Sequence, residues 1–147
     1  MTTAAQALAI AVAVTSLIAG IVGAIYWWLV LPERLPWLLI RGAQIVAGIQ
    51  ALGALALGIA GLRPDDQLYW LYAALPVAIG FFAEQIKLVS AQSVLDARGL
   101  ADGQAVGKLP ADRQQSVITA ILRRELGVVV IAAFVCVFLA LRAYTTV

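Results

Sequence analysis

Apolar residues run almost unbroken through four stretches of the chain, residues 7–31, 37–62, 68–83 and 126–141, and the polar residues gather between them. A bilayer core about 30 Å thick takes roughly 20 residues of helix at 1.5 Å each, so each stretch with its flanks is of crossing length. Backbone N–H and C=O groups cannot go unpaired in hydrocarbon, and the runs are too long and too little alternating for barrel strands. The pattern therefore predicts an all-α fold: a four-transmembrane-helix up-down bundle forming a single integral membrane domain over residues 1–147.

The interruptions set the boundaries. Pro32, Glu33, Arg34 and Pro36 end a first helix of about 7–31, because proline lacks the donor a helix interior needs and restricts its predecessor. A second helix, about 37–62, starts near Pro36 and ends at Gly61 before the turn Arg63-Pro64-Asp65-Asp66. The third, about 66–98, takes Asp66 as its N-cap and runs past Glu84, Lys87, Gln92 and Asp96 to Arg98, where Gly99 stops it. Pro76 lies inside that helix and should kink it or be accommodated by its neighbours. Gly99, Gly103, Gly107 and Pro110 mark one substantial loop, followed by a fourth helix of about 112–143 with a polar first half. The third and fourth helices overshoot the bilayer and are expected to extend into the cytoplasm as a hairpin. The first apolar run is too long for the h-region of a signal peptide, so it is read as a retained helix.

Composition narrows the classes. Of 147 residues 63% are hydrophobic, mean hydropathy is +0.97 and histidine is absent, which disfavours water-soluble classes and most metal or acid–base enzymes. The net charge is only +2, from ten basic and eight acidic residues beside the apolar runs, so the charges read as topology signals and no nucleic-acid partner is expected. The first loop, the third-to-fourth connection and their flanks hold Arg34, Arg41, Lys87, Arg98, Lys108, Arg113, Arg123 and Arg124; the other side holds Arg63 and Arg142. The positive-inside rule then places both termini outside. Aromatic residues agree, with Tyr26, Trp27, Trp28 and Trp37 near one boundary and Tyr69, Trp70, Tyr72 and Tyr144 near the other.

Small residues recur four apart, as in Ala19/Gly23, Ala43/Ala47/Ala51 and Ala54/Gly58, which predicts close packing of the first two helices. The same spacing suits a homo-oligomer or a larger membrane complex. Cys136, the only cysteine, lies in an apolar run and reads as a small buried hydrophobe; it can form neither an intrachain disulfide nor a cysteine metal cluster.

Counted along the helices from Pro64, Arg41, Glu84 and Lys87 reach similar depth, and Gln44 joins them. Arg123, Arg124 and Glu125 are expected at the same level from the fourth helix. Two readings stand side by side. The seven residues form an inward-facing site for an anionic headgroup or metabolite, or they are interhelical ion pairs and snorkelling side chains. Thr15, Ser16 and Gln50 are the deepest polar side chains and are expected to hydrogen-bond between helices. The middle third of the bundle has no carboxylate for a proton path. Nucleotide loops, GxSxG elbows and CxxC motifs are also absent, so no catalytic, metal or cofactor residues are assigned.

The stretch from Gln50 to Pro64, Gln-Ala-Leu-Gly-Ala-Leu-Ala-Leu-Gly-Ile-Ala-Gly-Leu-Arg-Pro, with Tyr69-Trp70-Leu-Tyr-Ala-Ala-Leu beyond the turn, resembles a helix-turn-helix of heme A synthase and related four-helix heme bundles. That resemblance implies a heme ligated by a histidine just after the turn; here Tyr69 and Trp70 occupy the region. The whole chain, with Phe-Ala-Glu-Gln-Ile-Lys and Ser-Val-Leu-Asp-Ala-Arg-Gly-Leu, resembles small four-helix membrane proteins of actinobacterial type, which implies a bacterial inner membrane and no particular activity. The expected role is that of a non-enzymatic structural, accessory or interaction subunit in the lipid bilayer. A small transporter or a lipid- or anionic-metabolite-binding protein is the competing class, and a heme-handling enzyme the third.

Overall fold

A computed structural model describes residues 2–31 and 34–147. Pro32 and Glu33, the first two of the expected helix-breaking residues, lie outside the described residues. Among the described residues there are five helices and no strand: α1 (Thr2–Leu29), α2 (Arg34–Ile59), α3 (Leu68–Ala97), α4 (Gly103–Gly107) and α5 (Ala111–Thr145). Four of them, α1, α2, α3 and α5, are long and apolar enough to cross a membrane.

Several boundaries shift from the expected ones for local reasons. Helix α1 begins at Thr2 instead of residue 7. Helix α2 begins at Arg34 instead of 37, which puts Pro36 in the first turn, where its missing donor costs no hydrogen bond. Helix α3 begins at Leu68 instead of 66, so its N-cap is Gln67, which makes no side-chain cap bond, and the expected cap Asp66 stands one residue outside, its Oδ1 accepting the Leu68 N–H at 2.9 Å. The connection expected to be loop throughout contains the single-turn α4, whose N-cap Asp102 accepts the Ala105 N–H at 3.0 Å.

The ends of α1, α2 and α3 use one device. The Leu62 N–H reaches back to the Leu57 carbonyl at 3.1 Å and the Leu100 N–H to Leu95 at 2.9 Å, with Gly61 and Gly99 between at φ 77° and 69°. At the end of α1 the Leu31 N–H donates to the Tyr26 carbonyl at 3.3 Å, but the left-handed residue there is Val30, at φ 54°. A β-branched residue in that conformation costs about 1–2 kcal/mol, so α1 ends under strain that the other two avoid.

Packing centres on α5, which lies along both α1 and α3, while α1 also packs on α2 and α2 on α3; α2 and α5 scarcely touch. One layer joins Ala5 and Ala9 of α1, Ala54 of α2, Tyr69 and Ala73 of α3, Ala143 of α5 and Val147. The backbone ties that layer again, the Asp66 N–H donating to the Thr146 carbonyl at 3.2 Å. Another layer joins Ala19, Ile40, Ala43, Ala83, Leu126, Val129 and Val130. Between them, Val12, Ala13, Ala47 and Ala140 pack together.

The small residues serve more partners than the α1–α2 pair expected from their spacing. A Cβ on Gly53 would meet Leu8 Cδ1 at 2.7 Å, which is the expected contact, but a Cβ on Gly23 would meet Val130 Cγ2 of α5 at 2.6 Å. Lipid is as apolar as leucine, so such close approach supplies the van der Waals contact that holds helices together. Gly23→Val should therefore push α5 off α1 and lower stability by about 1–3 kcal/mol in detergent unfolding, and Val130→Ala in the same chain should recover part of the loss. Full stability of the single variant would remove this contact from the packing account.

Candidate functional site

The α2–α3 seam carries the densest polar network inside the apolar spans. The Glu84 carboxylate on α3 sits 3.1 Å from Arg41 Nη1 of α2 and 3.0 Å from Lys87 Nζ one turn along α3. Gln44 completes the ring: its Nε2 donates to Glu84 Oε1 at 3.3 Å, and its Oε1 accepts from Arg41 Nη1 at 2.9 Å. Lys87 Nζ also lies over the Trp37 ring, 4.3 Å from its centroid. The network follows from helix periodicity, since Arg41 and Gln44, like Glu84 and Lys87, are three apart and so share a face.

Four of the seven expected residues thus meet. Arg123 and Arg124 do not join them. Arg123 stacks over Trp27 of α1 at 5.3 Å, and Arg124 Nη1 donates to Ser93 Oγ at 2.9 Å. Ser93 lies six residues beyond Lys87, about 9 Å further along α3, so the arginine pair forms a separate, outer layer. Glu125 is half-buried on the same turn of α5.

Apolar residues continue past the cluster toward the helix ends. Leu35 and Leu38 on α2, and Leu88 and Val89 on α3, lie further toward the helix ends and face outward with 46%, 70%, 67% and 70% exposure. Two cations and one carboxylate leave a single positive charge there. The Arg41 side chain is 57% exposed and the Lys87 side chain 13%, so Arg41 presents that charge outward.

Beside the cluster, a cleft of about 230 Å³ opens between Gln44 of α2 and Pro76, Val77, Gly80, Phe81 and Glu84 of α3. Gln44, Pro76 and Gly80 also border an inner cavity of about 30 Å³ that reaches Ser16, Ala47, Ala133 and Cys136. The seam has room because Gly80 has no side chain: a Cβ there would meet only Gln44, at 3.7 Å. Pro76 leaves the Tyr72 carbonyl without its helical donor, and Cys136 Sγ approaches the Pro76 carbonyl at 3.8 Å. Cys136 is buried, as expected of a small hydrophobe.

The deep polar residues behave differently from expectation. Thr15 Oγ1 donates to the Ala11 carbonyl of its own helix at 2.7 Å, the back-bond to the preceding turn that threonine makes within helices. Gln50 is fully buried, yet among the described residues neither atom of its amide has a hydrogen-bond partner. Sequence reasoning placed an interhelical bond at both. The cleft itself was missed; Gly80 one turn before Glu84 was its signal.

No family model, curated protein or solved structure matches the chain. At the position where the heme-bundle likeness would need its ligand, Tyr69 is fully buried in a layer with Ala5, Ala54, Ala73 and Ala143. Among the described residues no group of His, Cys, Asp and Glu gathers that could hold a metal ion.

Removing the carboxylate strands two cations in the seam. Glu84→Leu should lower stability by about 1–3 kcal/mol, and Arg41→Leu in the same chain should restore much of it, as read by thermal unfolding in detergent. An unaltered melting temperature for the single variant would show that the network contributes nothing to holding α2 on α3.

Proposed function

We propose that this chain is an integral membrane subunit that works by assembly with a partner, an up-down bundle in a bacterial plasma membrane with both termini outside. The α3–α5 hairpin is its cytoplasmic extension and its contact element. At 1.5 Å per residue, α3 with 30 residues and α5 with 35 span about 45 and 52 Å against a hydrocarbon core of about 30 Å.

The observation that carries this reading is the bonding of the hairpin's polar half to itself. Arg98 Nη1 donates to Ser116 Oγ at 2.9 Å, tying α3 to α5. Gln114 Nε2 donates to the Gly107 and Leu109 carbonyls at 3.1 and 2.9 Å, and Gln92 Nε2 donates to Asp96 Oδ1 at 2.9 Å and the Ala101 carbonyl at 3.4 Å. A connection held this way presents one shape, and a preformed surface binds without the entropy cost of ordering a loop. Arg98, Lys108 and Arg113 stand exposed on it. Eight of the ten basic residues fall toward the hairpin end, which supports the orientation.

Orientation is tested with Cys136→Ala chains bearing Lys108→Cys or Arg63→Cys. A membrane-impermeant maleimide on intact cells should label the Arg63→Cys chain and leave Lys108→Cys unlabelled until the cells are opened; the reverse pattern would invert the topology. Assembly is tested by affinity isolation from native membranes in mild detergent. A complex larger than the bundle should be recovered and should be lost when residues 100–110 are replaced by a Gly/Ser linker. Recovery of the bundle alone, or an unchanged complex from the linker chain, would reject the hairpin as the contact.

A further inference from the structure

From the α2–α3 seam we infer a binding site for one anionic phospholipid, with its phosphate on Arg41 and an acyl chain in the cleft between Val77, Gly80, Phe81 and Gln44. This goes beyond the assembly reading and does not rest on it.

The cluster beside the cleft carries two cations against one carboxylate, and the surplus is displayed on Arg41. Its contacts to Glu84 and Gln44 both run through Nη1, one nitrogen of three, in a side chain 57% exposed. A guanidinium carries five N–H donors in a planar fork, the geometry that phosphate oxygens accept. Glu84 and Gln44 hold the guanidinium from within the seam, so the cation is positioned before any ligand arrives. Lys87 is occupied between Glu84 and the Trp37 ring and fixes the carboxylate.

The cleft continues from the charge toward the bundle middle. From Glu84 back to Pro76 is eight residues, about 12 Å of α3, and Val77, Gly80 and Phe81 line that length with apolar surface and one missing side chain. Phe81 is 61% exposed and stands against Phe82, 5.9 Å between ring centroids, as a wall of the opening. An occupant must therefore be anionic at one end and hydrocarbon at the other. Leu35, Leu38, Leu88 and Val89 present exposed apolar surface beyond the cluster, and the apolar spans lie on its other side, so the site is flanked by the surface that lipid covers and a phospholipid arrives there by lateral diffusion.

The test is native mass spectrometry of the full chain released from nanodiscs of mixed phosphatidylglycerol and phosphatidylcholine with identical acyl chains. One phosphatidylglycerol should be retained over phosphatidylcholine by about fivefold or more, the scale of one surface cation's attraction for an anionic lipid. Arg41→Gln should remove the headgroup preference, and Gly80→Leu or Val77→Trp should lower retention of both lipids. Ile131→Ala, on the exposed face of α5, should change neither. Circular dichroism identifies any cleft variant that fails to fold, and the other cleft variant then decides. Equal retention of both lipids, or retention unaffected by the folded cleft variants, would reduce the bound lipid to the general annulus and overturn the site. Thermal stabilisation by inorganic phosphate equal to that by phosphatidylglycerol would also overturn it, since the chain-binding cleft would then play no part.

Discussion

Hydrocarbon gives apolar side chains no reason to leave it, and this bundle is built around that constraint. A water-soluble domain gathers its helices by removing apolar surface from water, whereas here large residues such as Trp28, Leu38, Ile59 and Phe138 stay outward at 75%, 70%, 80% and 71% exposure. What remains to hold the helices is close contact between small residues and a few polar bonds. The core accordingly consists mostly of alanine and valine, at Ala5, Ala9, Val12, Ala19, Ala140 and Ala143 among others, and leucine enters it rarely. Helix α5 becomes the hub because it offers a long face of such residues to both α1 and α3.

The two neighbours of α2 are joined by different physics. Against α1 it packs closely, with Leu8 filling the space over Gly53. Against α3 it packs closely at one end, where a Cβ on Gly58 would meet the Trp70 ring at 3.0 Å, while toward the other end the space over Gly80 stays open and the seam is closed by the bonds among Arg41, Gln44, Glu84 and Lys87. Polar bonds fix a distance and an angle without filling volume. A seam held by them can be both firm and porous, which close packing cannot be.

The number, type and approximate extent of the long helices were legible because hydropathy and proline or glycine punctuation act locally. Gly61 and Gly99 end their helices as composition suggests, but Val30 adopts the same left-handed conformation against its own preference, and no propensity rule anticipates that. The grouping of Arg41, Glu84 and Lys87 was legible by counting depth from the turn they share. Arg124 stands at another level, which a count from the Pro64 turn does not reach because α5 does not share that turn. It lies 21 residues, about 32 Å, from Thr145, while Glu84 lies 16 residues, about 24 Å, from Leu68 at the same end. The central role of α5 was not legible at all, because a four-residue spacing of small residues says that a face is smooth and not which helix lies on it.

The charge in the α2–α3 seam follows from the packing elsewhere. With α5 lying along α1 and α3, helix α2 packs mainly on α1 and α3 and only lightly on α5, so one of its two main seams can relax without loosening the rest. A polar cluster in the α1–α5 contact would have to displace side chains that approach as closely as Val130 does Gly23. In the α2–α3 seam it displaces almost nothing, and the long side chains of Arg41 and Lys87 can span the gap with their apolar stems while their heads meet Glu84. Pro76 lies in the same seam, where α3 has already given up one backbone bond. Spare volume, a proline-interrupted backbone ladder and net charge thus collect along one lateral face of the bundle.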